Sequence, residues 1–308
     1  MLPKLEMFIA LAREQHFGRA AGSLGITQPT LSTGIKQLEE TLGVQLVRRG
    51  SRFGGLTPEG QRALVWARRI VGDSRRFREE MRAAHEGLAG HLRLAVIPTA
   101  LTWASRLAAG YAARHPKVAF KILSRNSGDI LAMLENFEVD AGLSYLDNES
   151  LGRVTTVPLY REHYTVLCPG DHPLAARDAV DWADLAGVRL CLLMPDMQNR
   201  RIINSAFHEA GVRPAVEMES NSTVVLASQV CAGGWVTVLP GELARFLAVG
   251  KGLGVVPIRP AAGAPDGAAA VQGPAVGPSV GLITLHQEVP TPVLRALIDE
   301  ATRSATIE

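Results

Sequence analysis

Cysteine is scarce in this sequence of 308 residues: Cys168, Cys191 and Cys231 are the only three, far apart and odd in number. That rules out a disulfide framework, and no Cys/His grouping has metal-ligand spacing. Their setting in apolar runs predicts buried, inert thiols. Net charge is equally sparse, 32 basic against 30 acidic residues for +2, so charge alone names no partner. At the amino end, acidic Glu6 and Glu14 interrupt the apolar residues of Met1 to Glu14, which leaves neither a signal-peptide core nor a membrane span. A cytoplasmic location is expected. Catalytic signatures are missing too: no nucleophile elbow, phosphate loop or paired metal ligands stand out, and no cofactor is implied.

What is present is an ordinary globular composition, 47% hydrophobic and 20% charged, with length for two or three domains. The most informative stretch is Phe17 to Glu39. Gly25 supplies a turn between two short helices, Thr27 is suited to cap the second, and Pro29 sits in its first turn, where no N–H is needed. Leu31, Ile35 and Leu38 recur at helical spacing and predict an inward face. Gln28, Thr30, Ser32, Thr33, Lys36 and Gln37 are left outside. A short, polar, hydrogen-bonding face of this kind is what a helix needs to enter a DNA major groove. On periodicity alone, any solvated helical hairpin would fit as well.

The order of residues goes further. Phe-x-x-Ala-Ala-x-x-Leu-x-Ile-Thr-Gln-Pro-Thr-Leu-Ser-x-x-Ile-x-x-Leu-Glu, then Leu42-Gly43-Val44-Gln45-Leu46-Val47-Arg48-Arg49 and Leu56-Thr57-Pro58-Glu59-Gly60, closely resembles the winged helix-turn-helix of LysR-type transcriptional regulators. The match is contiguous over roughly the first sixty residues. The resemblance implies DNA contacts from Arg19, Thr27, Gln28, Pro29, Thr30, Ser32, Thr33 and Lys36. Thr33 and Gly34 stand where many relatives carry a long polar residue, so base readout is expected to be weaker or shifted.

Val44 to Val47 alternates like a strand, Gly54-Gly55 permits a reversal, and Leu56 returns, which reads as the wing. Arg48, Arg49 and Arg52 at its tip would hold the DNA backbone or minor groove without reading sequence. Arg62, Arg68, Arg69, Arg75, Arg76, Arg78 and Arg82 continue the basic front end. A new helix is expected from Pro58, with no strong breaker before Gly87. Leu64, Ala67, Val71, Ser74, Met81 and Leu88 fall near positions of an alternating three- and four-residue repeat, with Ile70 and Phe77 beside them. So much apolar surface points to pairing with a second copy, and the resemblance implies an antiparallel linker-helix dimer.

From His91 strands alternate with helices, the pattern of a mostly parallel sheet covered on both faces. Strands are expected at 92–97, 118–123, 139–144, 154–158 and 164–168, with helices at 99–114 and 127–137. Pro169 to Leu174 reads as a crossing into a second lobe where the alternation restarts. Pro260 to Gly277 reads as an exposed Ala/Gly/Pro-rich connection, Gly281 to His286 as a returning strand, and Pro290 to Ser304 as a last helix. The expected fold class is therefore α/β and multi-domain. It comprises a winged helix-turn-helix (1–58), a linker helix (59–89) and a two-lobed effector domain (90–308). Lobe I is placed at about 90–167 and 270–308 and lobe II at about 168–269. This second part resembles, less specifically, the effector-binding half of LysR-type regulators, which is similar to type 2 periplasmic binding proteins.

Ligands in such sheets bind beyond the carboxyl ends of strands, against helix N-termini. That places candidate effector contacts at Thr99, Ala100, Thr102, Asn126, Ser127, Asn199, Arg200, Arg201, Ser222 and Thr223. Plain helix capping accounts for any one of these hydroxyls. Arg200 and Arg201 would offer a fork for a carboxylate, hence a small anionic effector. The resemblance also implies a homotetramer on promoter DNA whose shape the effector shifts, changing access for RNA polymerase. Some relatives use a cysteine pair as a redox switch; the spacing of Cys168, Cys191 and Cys231 does not favour one. An enzyme lacks a motif here, and a transport solute-binding protein would leave the first ninety residues unexplained.

Overall fold

The computed structural model describes residues 1–48, 53–147, 151–152, 154–259, 276–286 and 290–305. The chain divides into two units, Met1–Ala89 with Glu135–Glu138, and Gly90–Leu134 with Val139–Glu308.

In the first unit, helices α1 (Leu2–Glu14), α2 (Phe17–Ser23) and α3 (Gln28–Leu42) precede a long helix α4 (Pro58–Glu86). His16 caps α2, its Nδ1 accepting from the backbone N–H of Gly18 at 3.1 Å and of Arg19 at 3.3 Å. Gly25 turns the chain with φ +67°, and Thr27 caps α3 by accepting from the Thr30 N–H at 3.4 Å. Phe8, Leu11, Ala20, Leu31 and Leu38 are fully buried where α1, α2 and α3 meet. Gly34 is part of this packing rather than of the outer face. It is buried, and a Cβ there would run into the sulfur of Met7 on α1.

The expected strand at 44–47 does not form; only a bridge between Val47 and Leu56 is made. Backbone anchors hold the hairpin base instead. The Glu39 carboxylate accepts from the N–H groups of Leu46 at 2.8 Å and Val47 at 3.1 Å, and the Thr57 N–H donates to the Leu46 carbonyl at 3.0 Å. A side chain at Gly60 would strike that same carbonyl, so α4 can start close against the hairpin only with glycine there.

In the second unit, β1 (Gly90–Val96), α5 (Leu101–Arg114), β2 (Val118–Ser124), α6 (Ser127–Glu135) and β3 (Ala141–Tyr145) come first. The long β4 (Val154–Pro169) follows, then β5 (Arg189–Leu193), α7 (Gln198–Glu209), β6 (Ala215–Ser220), α8 (Thr223–Cys231), β7 (Thr237–Pro240), α9 (Gly241–Ala248) and β8 (Leu253–Pro257). Strand β9 (Val276–Leu285) returns between β3 and β4, and α10 (Pro292–Ser304) closes the unit.

The main sheet runs β2-β1-β3-β9-β4-β7, with β8 also on β4, and a second sheet pairs β5 with β6. It is mixed, not mostly parallel: β1 pairs in parallel with β2 and β3, but β9, β7 and β8 are antiparallel to their neighbours. The cause is β4. The two strands expected at 154–158 and 164–168 are one strand of 16 residues. Its first part pairs with β9 and its last part with β7 and β8, so a single strand serves both lobes. Irregularities at Pro158/Tyr160 and Arg161/His163 bend it between these partners. The expected connection at 260–277 falls largely outside the described residues. Beyond the crossing, Trp182 packs edge-on against Phe207 with ring centroids 5.0 Å apart, and both are buried among Tyr164, Leu190 and Val238.

Gly34→Leu is expected to destabilise the first unit by about 1–3 kcal/mol through overpacking against Met7. Chemical denaturation of the chain, followed by loss of α1–α3 helicity, measures it.

Candidate functional site

Two surfaces carry chemistry. On the first unit, Thr27, Gln28, Pro29, Thr30, Ser32, Thr33 and Lys36 are all exposed along the N-terminal part of α3, while Leu31, Ile35 and Leu38 face the core. The Thr27 and Thr30 hydroxyls lie 2.9 Å apart, and Lys36 is loosely paired with Glu40 at 3.9 Å. Arg19 projects from α2, its guanidinium donating to the Glu14 carbonyl at 2.7 Å. Arg48 is exposed at the hairpin; Arg49 and Arg52 lie outside the described residues. An exposed polar face at the N-terminal part of a helix held by a packed three-helix core is a groove-reading geometry.

Helix α4 has two stripes. Leu64, Ala67 and Val71 pack on the helix-turn-helix core, whereas Val65, Trp66, Ile70, Phe77 and Met81 are exposed. The stripe left free on α4 is therefore rotated from the one expected through Leu64, Ala67 and Val71.

In the second unit a cleft of 610 Å³ opens between the lobes, lined by Asn126, Asp129 and Arg125 from one side and Asp196, Asn221, Ser222 and Thr223 from the other. A recess lined by Thr99, Asn126, Ser127, Tyr145, Gln198 and Asn199 adjoins it. Asn126 spends its carbonyl oxygen capping α6, accepting from the Asp129 N–H at 2.8 Å. Ser222 makes no such cap on α8, so capping does not account for its hydroxyl. Ala100 is fully buried, and Thr102 lines a different cavity.

The two arginines are occupied by the protein. Arg200 is buried, donating to the Leu193 carbonyl at 2.7 Å, to Glu219 at 2.8 Å and to Asn204 at 2.9 Å. Arg201 folds back on Gln198 at 2.6 Å and on the Asp196 carbonyl at 3.0 Å. Neither lines the cleft, and the charged groups that do are Arg125, Asp129 and Asp196.

Behind the recess lies a buried polar cluster invisible to the sequence reading. The Tyr145 hydroxyl lies 3.1 Å from Thr99 Oγ1, donates to Glu162 Oε2 at 3.1 Å, and accepts from Asn199 Nδ2 at 3.2 Å. Asn199 also donates to the Tyr164 hydroxyl at 3.4 Å. Burial pushes the Glu162 carboxyl up to about 7, against the pull of the Tyr145 hydrogen bond and of the nearby Thr99 and Tyr164 hydroxyls. Five residues from β3, β4, α7 and the turn before α5 thus meet where β4 crosses between lobes. Glu162 had no motif to announce it; only its place on a bulged strand reveals it.

Cys168 and Cys191 are buried, and burial pushes each thiol up to about 11. Cys231 is exposed, contrary to expectation, because it ends α8 on its outer side. Among the described residues no helix is long and apolar enough to cross a membrane.

A helix unit with an exposed polar reading face followed by a two-lobed α/β unit with a cleft is the architecture of a DNA-binding transcriptional regulator. The sequence matches the bacterial regulatory helix-turn-helix of the lysR family over residues 2–61 and the LysR substrate binding domain over residues 85–306. It is 33% identical over 77% of its length to 76% of a probable hydrogen peroxide-inducible genes activator of Mycobacterium avium. It is 32% identical, over 77% of both chains, to the transcriptional dual regulator OxyR of Escherichia coli K12. The fold superposes on a full-length OxyR variant of Pseudomonas aeruginosa with a TM-score of 0.72 at 28% identity, covering 99% of this chain and 97% of that one. The chain belongs to the LysR-type transcriptional regulators.

Because the Glu162 carboxyl titrates above its ordinary value of 4.5, its ionisation opposes folding. The contribution of this group to stability is expected to be full below pH 4.5 and to be lost as the pH rises to about 7, a change on the order of 3 kcal/mol. Glu162→Gln should flatten that slope, measured as unfolding free energy against pH.

Proposed function

We propose that the chain reads an inverted repeat in promoter DNA as a dimer of dimers, and that a small effector in the interlobe cleft shifts its DNA-bound form. The single observation carrying the DNA reading is the exposure of every candidate contact on α3 beside an inward face of leucine and isoleucine. A solved relative, CbnR, is described in complex with its target DNA. Its 21% identity supports a shared fold alone.

Pairing through α4 is supported by Trp66, Ile70, Phe77 and Met81, which recur at steps of four, seven and four on a helix of 29 residues and are left in water. A second copy would cover them. The antiparallel arrangement, the tetramer and the approach of RNA polymerase follow from the family resemblance. The cytoplasm is where such DNA lies.

For the effector, helix N-termini and Arg125 favour an anionic group, but Arg200 and Arg201 are spent on Glu219, Leu193, Asp196 and Gln198. Asp129 and Asp196 on the same cleft favour a ligand that also carries donors. We therefore read the effector as a small polar molecule bearing both an acidic group and hydrogen-bond donors. The names of two relatives refer to hydrogen peroxide. A thiol must ionise to react with an oxidant, and Cys168 and Cys191 are held protonated by burial. That disfavours oxidation at those two buried thiols, while Cys231, at the end of α8, is exposed.

Lys36→Ala should weaken binding to all sequences and lower the salt slope by about 1, whereas Gln28→Ala should cost about 1–3 kcal/mol at one base position only. Binding isotherms on upstream and scrambled DNA at several salt concentrations separate the two. Ile70→Asp with Phe77→Asp should yield monomers in sedimentation and abolish the preference for paired half-sites; a dimer surviving both changes removes α4 as the seam.

A further inference from the structure

We propose that a second small-molecule site, separate from the interlobe cleft, lies between β4 and the start of α9 and takes a short hydroxy or amino acid. A cavity of 140 Å³ sits there, with Thr102 from α5, Glu162 from β4 and Arg245 from α9 among its lining residues. One water needs roughly 10–15 Å³ by this measure, so the space holds several waters or a small organic molecule.

Two independent features set the ligand's chemistry. The first is an acceptor lacking a donor: Glu162 is 1% exposed, its Oε2 is met by Tyr145, and its Oε1 has no hydrogen-bond partner among the described residues. Leaving a buried carboxyl oxygen unmet is costly, and a ligand hydroxyl or amine would relieve it. The second is cation without anion. Arg161 and Arg245 line the same cavity, both exposed, and neither has an ion pair or side-chain hydrogen bond among the described residues. Glu242, the other acid on this wall, is already held by Arg106 at 2.6 Å.

A carboxylate at the arginines and a donor at Glu162 satisfy both ends at once. Thr99 touches this cavity and the recess of the interlobe cleft alike, so occupancy here would act on the same Tyr145 cluster. The inference does not depend on what the interlobe cleft binds.

Calorimetric titration of the full-length chain with L-lactate and L-serine, against propionate, tests it, because propionate lacks only the donor. Lactate or serine should bind at least about tenfold more tightly than propionate. Glu162→Met should erase that preference. Thr102→Phe, which fills the cavity from a wall outside the hydrogen-bonded cluster, should abolish binding of all three. Equal affinity for lactate, serine and propionate, a preference retained in Glu162→Met, or no binding at millimolar concentration overturns the site. If Asn126→Ala in the interlobe cleft removes lactate and serine binding while Thr102→Phe keeps it, the ligand sits in the cleft; the second site then fails and the regulator reading stands.

Discussion

The second unit depends on one strand that does not stop. β4 pairs with β9 in one lobe and with β7 and β8 in the other, and its bulges fall around Glu162. A strand bent there turns a carboxyl into the interior, where it must be neutral or well bonded. Tyr145 donates to that carboxyl, and Thr99 and Asn199 hold the Tyr145 hydroxyl in turn from two further elements. The polar cluster and the lobe crossing are therefore the same feature, and any ligand that changes one bears on the other.

The first unit is governed by close backbone approach. Gly34 lets α3 lie against Met7, and Gly60 lets α4 begin beneath the Leu46 carbonyl. Glu39, on α3 itself, accepts from the hairpin backbone. The polar face of α3 and the base of the wing are thus tied by short hydrogen bonds, and two contacting surfaces can be presented in a fixed relation. Weak β pairing in the hairpin is compatible with this, because the anchors lie at its base.

Charge explains how the cleft differs from the simple anion trap that its helix N-termini suggest. A guanidinium at a helix start attracts an anion only if nothing in the protein claims it first. Arg200 is claimed by Glu219 and two oxygens, and Arg201 by Gln198 and a carbonyl. Two arginines with no such claim among the described residues, Arg161 and Arg245, lie on another cavity. Similarity to regulators named for hydrogen peroxide likewise does not make Cys168 and Cys191 reactive, since reactivity belongs to exposure and ionisation and not to the fold.

Local chemistry was enough to set the Gly25 turn, the Thr27 cap and the start of α4 at Pro58, because caps, glycine turns and helical periodicity are properties of neighbouring residues. It also told which face of α3 is polar. It could not tell that Gly34 packs inward, since that depends on Met7, far off along the chain. Nor could it join the two halves of β4: Pro158 and the charged run Arg161 to His163 look like a break, and only pairing with β9 carries the strand through. The site divides the same way. Asn126, Ser222 and Thr223 are legible as helix starts beside a cleft, but Tyr145 and Glu162 become a site only when distant elements bring a hydroxyl and a carboxyl together in a dry interior.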